Sequence, residues 1–451
     1  MIELPSYGDQ EVWMGMCQIF KDFKAISDLN HDTLIALFSA TSGVDCSYKL
    51  DNLMECLLEG KDSKTASALI HGIIDAALQL DQLFPSGTLS QLDHADDHIS
   101  YSRSHVRCLL AHMFWGTLKP LWNESFGLYR TSSGEPIHQK FPRTFLDWYQ
   151  SKDMSEQSKI YIRTILNYFQ TPIEDTHAID FYLRHRRLEP FEWMDSKQHI
   201  CPVQVRTQGR IGDYGANFEV DFANKQVGFG QGATQEELIL GTSPESCVVV
   251  LISKPLEDDF IIEIKGCQMF GDYTGFGASA KFCPPMEDKS RDWSQRTILA
   301  MDAEFYDGLP GDNRLQQLKD EALFRELNKA YCAFSAASGS TIETGPWGCG
   351  AFGGDREIKL IIQVLAASRA DCRELVLYTF GNVNLSEKLN ELLDCIHKRQ
   401  IGVGKVLGML CHSRNDIYPS FDMLTWKQRE DNELFLCDLL LKQMDKMPIM
   451  V

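Results

Sequence analysis

Residues 221–237, DFANKQVGFGQGATQEE, concentrate groups that can do chemistry. Asp221 and Asn224 stand just ahead of Gly228, Gly230 and Gly232, and Gln235, Glu236 and Glu237 follow at once. Glycine lets a backbone turn at positive φ and approach a ligand with no Cβ in the way. Successive amides in such a turn form a nest that cradles a phosphate. Two adjacent glutamates beside that cradle repel an anion and each other. They make chemical sense if one carboxyl keeps a raised pKa and delivers a proton. On a helical turn, neighbouring side chains diverge by about 100°, so one would react while the other positions. The structural alternative is an acidic first turn that complements the helix dipole. The stretch predicts a site for a phosphorylated sugar, cut by carboxylate chemistry.

A second glycine-rich element, residues 345–355 (GPWGCGAFGGD), opens a helix whose buried stripe is Ile358, Ile361, Ile362 and Leu365. A helix N-terminus preceded by glycines favours an anion. Gly348, Gly350 and Gly353 also spell the dinucleotide fingerprint. That fold needs a strand directly before the motif, and residues 338–344 read as a polar loop; it also needs an acid after the next strand, where Gly381 and Asn382 stand. The phosphate reading is preferred. Tyr273 and Phe276, in a glycine-containing loop, offer flat faces to a purine, although loop aromatics are more often satellite core. Phe380 ends an apolar run, where open α/β sheets place ligand residues.

The elements that must hold these residues change character along the chain. Residues 1–195 read mainly as helices, with amphipathic stripes over 66–84 and 102–118 and two shorter helices over 145–169 separated near Asp153. His105 and His112 share a face, but with no third ligand in view they read as surface or core histidines. Residues 196–415 alternate short apolar runs (218–222, 247–253, 260–264, 298–303, 375–380) with helical stretches (314–334, 357–369, 386–399), the pattern of an α/β layered domain around a central sheet. The run at 247–253 reads as a central strand covered on both faces. Residues 416–451 form a tail whose amphipathic stretch, 433–444, is expected to dock on its own domain.

The chain has 451 residues, 44% hydrophobic and 24% charged, the composition of a globular protein. Its net charge of −19 argues against non-specific nucleic-acid binding. The fourteen cysteines include no CxxC pair, so a zinc ribbon or thioredoxin-type motif is not supported. No basic-then-apolar leader and no membrane-length apolar run are visible, and reduced thiols in nucleus or cytosol are the expectation. The basic cluster 184–187 reads as a solvated face, with a nuclear signal as the alternative.

Together, separated motifs in one order resemble the macrodomain-type poly(ADP-ribose) glycohydrolases. They are Val220–Asn224, the glycines leading into Gln235–Glu237, Tyr273–Gly275, Glu326–Tyr331, Trp347–Asp355 and Thr379–Gly381. The resemblance runs from about residue 100 to 410, including a helical match at 102–115. It implies an α/β macrodomain-like mixed sheet between helices, joined to an N-terminal helical accessory domain. It further implies Glu237 as the acid that protonates the departing ribose oxygen and then activates water, Glu236 as its supporting glutamate, and Asn224, with Asp221 beside it, orienting ribose and carboxylate. Gln235 would contribute to adenine recognition. Gly228, Gly230 and Gly232 with Gly350, Ala351 and Phe352 would hold the diphosphate, and Tyr273, Phe276 and Phe380 would lie near the adenosine. No metal or cofactor is implied. The implied partners are poly(ADP-ribose) on modified proteins and the product ADP-ribose, with no direct DNA or membrane binding, a monomeric state, and a role in the DNA damage response.

Departures from the family pattern are local. Phe229 interrupts what is usually a run of three glycines, and the spacer to Gln235 is short. Phe276 stands where a tyrosine is usual, and Pro346 where asparagine is common. The family's acidic adenine contact falls on Gly212 or Asp213. The shortened loop motivates two alternatives to the glycohydrolase: a non-catalytic ADP-ribose reader, and a hydrolase of another ADP-ribosyl bond.

Overall fold

The computed structural model describes residues 2–4, 10–26, 30–43, 46, 50–118, 129–130, 136–137, 144–150, 153–285, 291–307, 313–421 and 435–446. The N-terminal part is built from α1 (Gln10–Lys24), α2 (His31–Ser42), α3 (Asp51–Leu58), α4 (Ser63–Ala77), α5 (Arg103–Phe114), α6 (Phe145–Gln150) and α7 (Ser155–Gln170). Ser102 caps α5 by accepting from the His105 amide, as its sequence position suggested. The break between α6 and α7 falls where Asp153 was expected to place it.

An eight-stranded mixed sheet organises the rest. In chain order its strands are β1 (His98–Ser102), β2 (Ala178–His185), β3 (Val203–Arg206), β4 (Phe218–Ala223), β5 (Phe260–Lys265), β6 (Thr297–Asp302), β7 (Thr341–Thr344) and β8 (Glu374–Tyr378). Their spatial order is β1-β2-β5-β6-β4-β7-β8-β3. The ladder from β6 through β3 is parallel, while β1, β2 and β5 run antiparallel to their neighbours. Two strands therefore come from the segment read mainly as helices. Their short alternating pattern is hidden beside the much longer helical stripes.

One hydrophobic core lies between the helical segment and one face of the sheet, joining Phe38, Trp115, Trp148 and Tyr161 to Ile262, Ile264 and Ala300. A second fills the opposite face under α9 (Asp320–Ser335), α10 (Arg356–Arg369), α11 (Val383–Lys398), α12 (Val403–Phe421) and α13 (Phe435–Asp445). α13 docks on its own domain through Leu436, Leu440 and Met444, all fully buried, and residues 433–434 of that stretch lie outside the described residues.

Three local expectations are corrected. Residues 247–253 form no strand: a 3-10 turn (Pro244–Val248) runs into a short helix (Val249–Ile252). A short run buried on every side has no period to distinguish helix from strand. Residues 341–344 are not a loop but β7, fully buried despite the sequence Thr-Ile-Glu-Thr. Each polar side chain there has a partner: Thr341 accepts from Arg373, Thr344 donates to Gln363, and Glu343 accepts the amides of Gly212, Tyr214 and Ala216. Buried polar groups so satisfied carry little penalty. This removes one argument used against a dinucleotide fold, since a strand does precede the glycines. The stretch 314–334 is two helices, Asn313–Gln317 and α9, separated at Leu318–Lys319.

Candidate active site

The carboxyl ends of the parallel strands β4, β6, β7 and β8 point the same way, and the loops leaving them carry Asn224, Ala303, the glycines from 345 and Phe380. Open α/β sheets bind ligands at that edge. A cleft of about 170 Å³ lies there, lined by Asn224, Gly228, Gln235, Glu236, Glu237, Trp347, Gly350, Ala351 and Phe352 among others. Residues separated by more than a hundred positions in sequence thus share one wall.

Helix α8 (Gln235–Gly241) starts directly behind the first glycine loop. Thr234 caps it, accepting from the Glu237 amide, while the Thr234 amide donates to Glu237 Oε2 at 2.9 Å, which closes a capping box. The amides of Gln231 and Gly232 act on the same carboxylate, and a Cβ placed on Gly230 would overlap it. Burial nevertheless raises the Glu237 pKa above the usual carboxylate range, against these backbone donors. Helix capping and a proton-holding carboxyl coexist in one residue.

Glu236 turns the other way. Its carboxylate accepts the Asn224 and Gly228 amides, each at 3.0 Å, and it is buried. Burial comes first, then the charge of Asp221, in raising its pKa well above normal. Asp221, fully buried on β4 and not part of the cleft lining, is pushed up by burial, and its charge acts on Glu236. Two carboxyls this close share a need for protons that neither would have alone. Asn224 Oδ1 accepts the Gln226 amide at 3.1 Å, so its side chain is fixed before any ligand arrives.

Gln235 clips α8 to the sheet: Oε1 accepts the Phe222 amide at 2.7 Å, and Nε2 donates to Val220 O at 2.9 Å. It stands where this cleft meets two others. One, of about 760 Å³, is lined by Gly212, Asp213, Tyr273, Arg296 and Trp293. Here the Arg210 guanidinium lies 4.3 Å over the buried Tyr273 ring. The other, of about 260 Å³, is lined by Phe276, Phe380, Cys349, Gly350 and Arg356. The Phe276 and Phe380 rings meet edge-on at 5.6 Å. Phe380 adopts φ of 48°, a left-handed conformation that a bulky residue takes up only when its surroundings impose it.

The second glycine loop closes on a cation. Lys359, fully buried on α10, touches the Glu326 carboxylate and lies 4.4 Å from the Trp347 ring. A Cβ on Gly348 would fall 3.3 Å from its Nζ. Burial pushes the Lys359 pKa well down, with the Glu326 carboxylate in direct contact. The α10 N-terminus itself is already capped by Asp355, which accepts from the Ile358 amide and pairs with Arg314 at 2.7 Å. The amides of Gly350 and Ala351 in the loop before it have no protein acceptor among the described residues.

Sequence reading missed several of these groups: Lys359, Arg356, Glu343 and, in the helical segment, Trp148 and Tyr161. Nothing in their local sequence marks them, because each acquires its role only by packing. His112 is a core histidine held by Thr117 Oγ1 at 2.7 Å and Ala77 O at 2.9 Å, its pKa lowered by burial to about 4. Among the described residues no group of His, Cys, Asp or Glu is placed to hold a metal. Within the basic cluster, Arg184, Arg186 and Arg187 each pair with an acid. No described helix is long and apolar enough to cross a membrane.

A macrodomain sheet whose ligand edge carries paired glutamates and two glycine loops, backed by a helical domain, defines the class. Comparison with known proteins agrees: residues 191–387 match the model of poly(ADP-ribose) glycohydrolase, macro domain fold, and residues 58–182 match the helical domain of the same family. The chain belongs to the poly(ADP-ribose) glycohydrolase family. It is 31% identical over 253 residues to poly(ADP-ribose) glycohydrolase 1 of Caenorhabditis elegans, covering 52% of this chain and 32% of that protein. To poly(ADP-ribose) glycohydrolase 2 of the same organism it is 32% identical over 232 residues, covering 48% of each. To poly(ADP-ribose) glycohydrolase 1 of Arabidopsis thaliana it is 26% identical over 484 residues, covering 86% of this chain and 84% of that one. The match thus spans less than half of each nematode relative and most of the plant protein.

Proposed function

We propose that this protein hydrolyses the ribose–ribose O-glycosidic bonds of poly(ADP-ribose) and releases ADP-ribose. The observation that carries this reading is a half-buried carboxyl of raised pKa, Glu237, at the rim of a cleft shared with a second glycine loop. Cleavage at an anomeric carbon passes through an oxocarbenium-like state, and a carboxyl that keeps its proton near neutrality is the usual acid. Glu237 gives its proton to the departing ribose oxygen and takes one back from the attacking water. Glu236, locked onto the Asn224 and Gly228 amides, holds the floor of the site, and the charge of the buried Asp221 favours a shared proton. The amides of Gly350 and Ala351, with Arg356 near the same edge, suit the diphosphate; Phe276 and Phe380 suit the adenosine.

Polymer on modified proteins is the proposed partner, acted on by a monomer that needs no DNA or membrane contact. A nuclear or cytosolic setting and a part in the DNA damage response go with that substrate. The test compares wild type with Glu237→Gln, following release of ADP-ribose from polymer and affinity for ADP-ribose. Loss of at least about a thousandfold in rate with affinity retained supports the reading; unchanged release would overturn it. A second reading, a reader that binds without turnover, draws on one observation: the short loop is already closed on Glu237. Calorimetric binding by a wild type that releases nothing would favour it.

A further inference from the structure

The loop that closes on Glu237 is itself gripped from outside the macrodomain. Trp148 on α6 donates from Nε1 to Gly230 O at 2.8 Å, and Gln231 Nε2 donates back to Asp147 O. The Phe145 and Trp148 rings stack at 4.4 Å, and Phe229 packs 5.0 Å from each. Phe229 is the residue that interrupts the glycine run, so this departure fills a socket that the helical segment provides. Tyr161 on α7 lies 5.0 Å from Trp148 and is fully buried. Its buried hydroxyl makes no hydrogen bond among the described residues, although the Ala233 amide and the Glu237 charge act on it, and Gly241 of α8 presses on its ring so closely that a Cβ would overlap it. Ala233 holds φ of 52°, a left-handed conformation unfavourable for a residue with a Cβ, which surrounding contacts sustain. Behind the grip, Asn52 on α3 donates to Trp148 O at 3.1 Å and accepts from Ser155 at 2.6 Å, which fixes α6 in turn.

We propose that Trp148 and Tyr161 are positioning residues for Glu237, and that the helical segment thereby completes the active site. The proposal rests on the glycohydrolase reading above. Buried aromatics usually serve packing alone. Here Trp148 spends its one polar atom on the loop backbone, and Tyr161 wedges its ring between Trp148 and Gly241 of α8, behind the stretch that sets the Glu237 carboxylate. Misplacing a reacting group by about 1 Å costs about a hundredfold in rate, so a modest slackening of the loop should be visible in turnover.

The test uses the full chain with Trp148→Phe, Tyr161→Phe and Phe229→Gly, singly and with the first and last combined. Trp148→Phe keeps a ring and removes the Nε1 donor. We expect its kcat on poly(ADP-ribose) to fall about tenfold or more, with ADP-ribose affinity within about threefold, as a positioning role requires. The alkaline limb of its pH–rate profile should move, because Glu237 acts with its proton on and its surroundings change. Phe229→Gly added to Trp148→Phe should cost little more, since both act on one loop. Amide exchange over 229–234 should speed up in Trp148→Phe and stay unchanged in β6. A folded Trp148→Phe with wild-type kcat and unchanged exchange would overturn the proposal, as would fully additive losses. If Trp148→Phe does not fold, Tyr161→Phe and Phe229→Gly carry the same readouts. A wild type that cleaves no polymer sinks the glycohydrolase reading instead, and exchange at 229–234 still decides the positioning.

Discussion

The two glycine loops are built from the same residue type and enclose opposite charges. The loop at 228–234 wraps a carboxylate: Gly228 donates to Glu236, and Thr234, with Gln231 and Gly232, to Glu237. The loop at 345–354 wraps the Lys359 ammonium and leaves the Gly350 and Ala351 amides without an internal acceptor. In the first loop a Cβ on Gly230 or Gly232 would meet the Glu237 carboxylate, whereas in the second a Cβ on Gly348 would meet Ala303 first and the Lys359 side chain next. What differs is the field each loop presents to a ligand: the first holds an acid in place, the second offers donors above a lysine. The sequence reading gave both loops to the diphosphate. We propose a division in which the first serves the proton and the second the phosphates.

That division can be broken experimentally. The largest effect is expected for Gly230→Ala, whose methyl would displace the Glu237 carboxylate: kcat should fall about a hundredfold while ADP-ribose affinity changes little. Comparable losses of kcat and affinity would merge the loops' roles. Gly348→Ala should do the reverse. At φ of 72°, with its Cβ only 2.6 Å from that of Ala303, the loop must shift, and ADP-ribose affinity should weaken by about thirtyfold, or about 2 kcal/mol by calorimetry, with kcat at saturation largely kept. Lys359→Met should weaken ADP-ribose by about tenfold, measured by calorimetry; unchanged affinity would separate the second loop's grip from this side chain. Glu357→Gln is the smallest. Glu357 accepts the Leu436 and Cys437 amides of α13, and burial lifts its pKa to about 7. A carboxyl raised in the folded state stabilises it at low pH and loses that contribution as pH climbs through the folded value. Wild-type melting temperature should therefore fall relative to Glu357→Gln between about pH 4.5 and 7, by a few degrees; a constant difference would show that the carboxyl does not titrate there.

Much of this was legible in the chain because the site's chemistry is local. Gln235, Glu236 and Glu237 follow one another, and a single capped turn disposes them, so residue order alone separates the two glutamates. The amphipathic helices were equally plain, Ser102 at the head of α5 among them. What escaped was set by distant packing. β7 looked like a loop because Glu343 and its threonines become buriable only once Gly212, Gln363 and Arg373 arrive from elsewhere. The run at 247–253 looked like a strand because a segment buried on every side shows no period. Trp148 is one tryptophan in an ordinary helical stretch until Gly230 is brought to it.

The two strands that the N-terminal segment lends to the sheet have a consequence for how the molecule could be divided. In register, β2 covers β5 with Phe181 opposite Ile264 and Leu183 opposite Ile262. A chain begun at residue 190 would keep the glutamates and both glycine loops, yet leave β5 as an open rim of unpaired amides and carbonyls flanked by isoleucines. Such a rim pairs readily with other chains. The macrodomain of this protein is therefore no detachable module: without its helical neighbour it would be prone to associate with itself before it met a substrate.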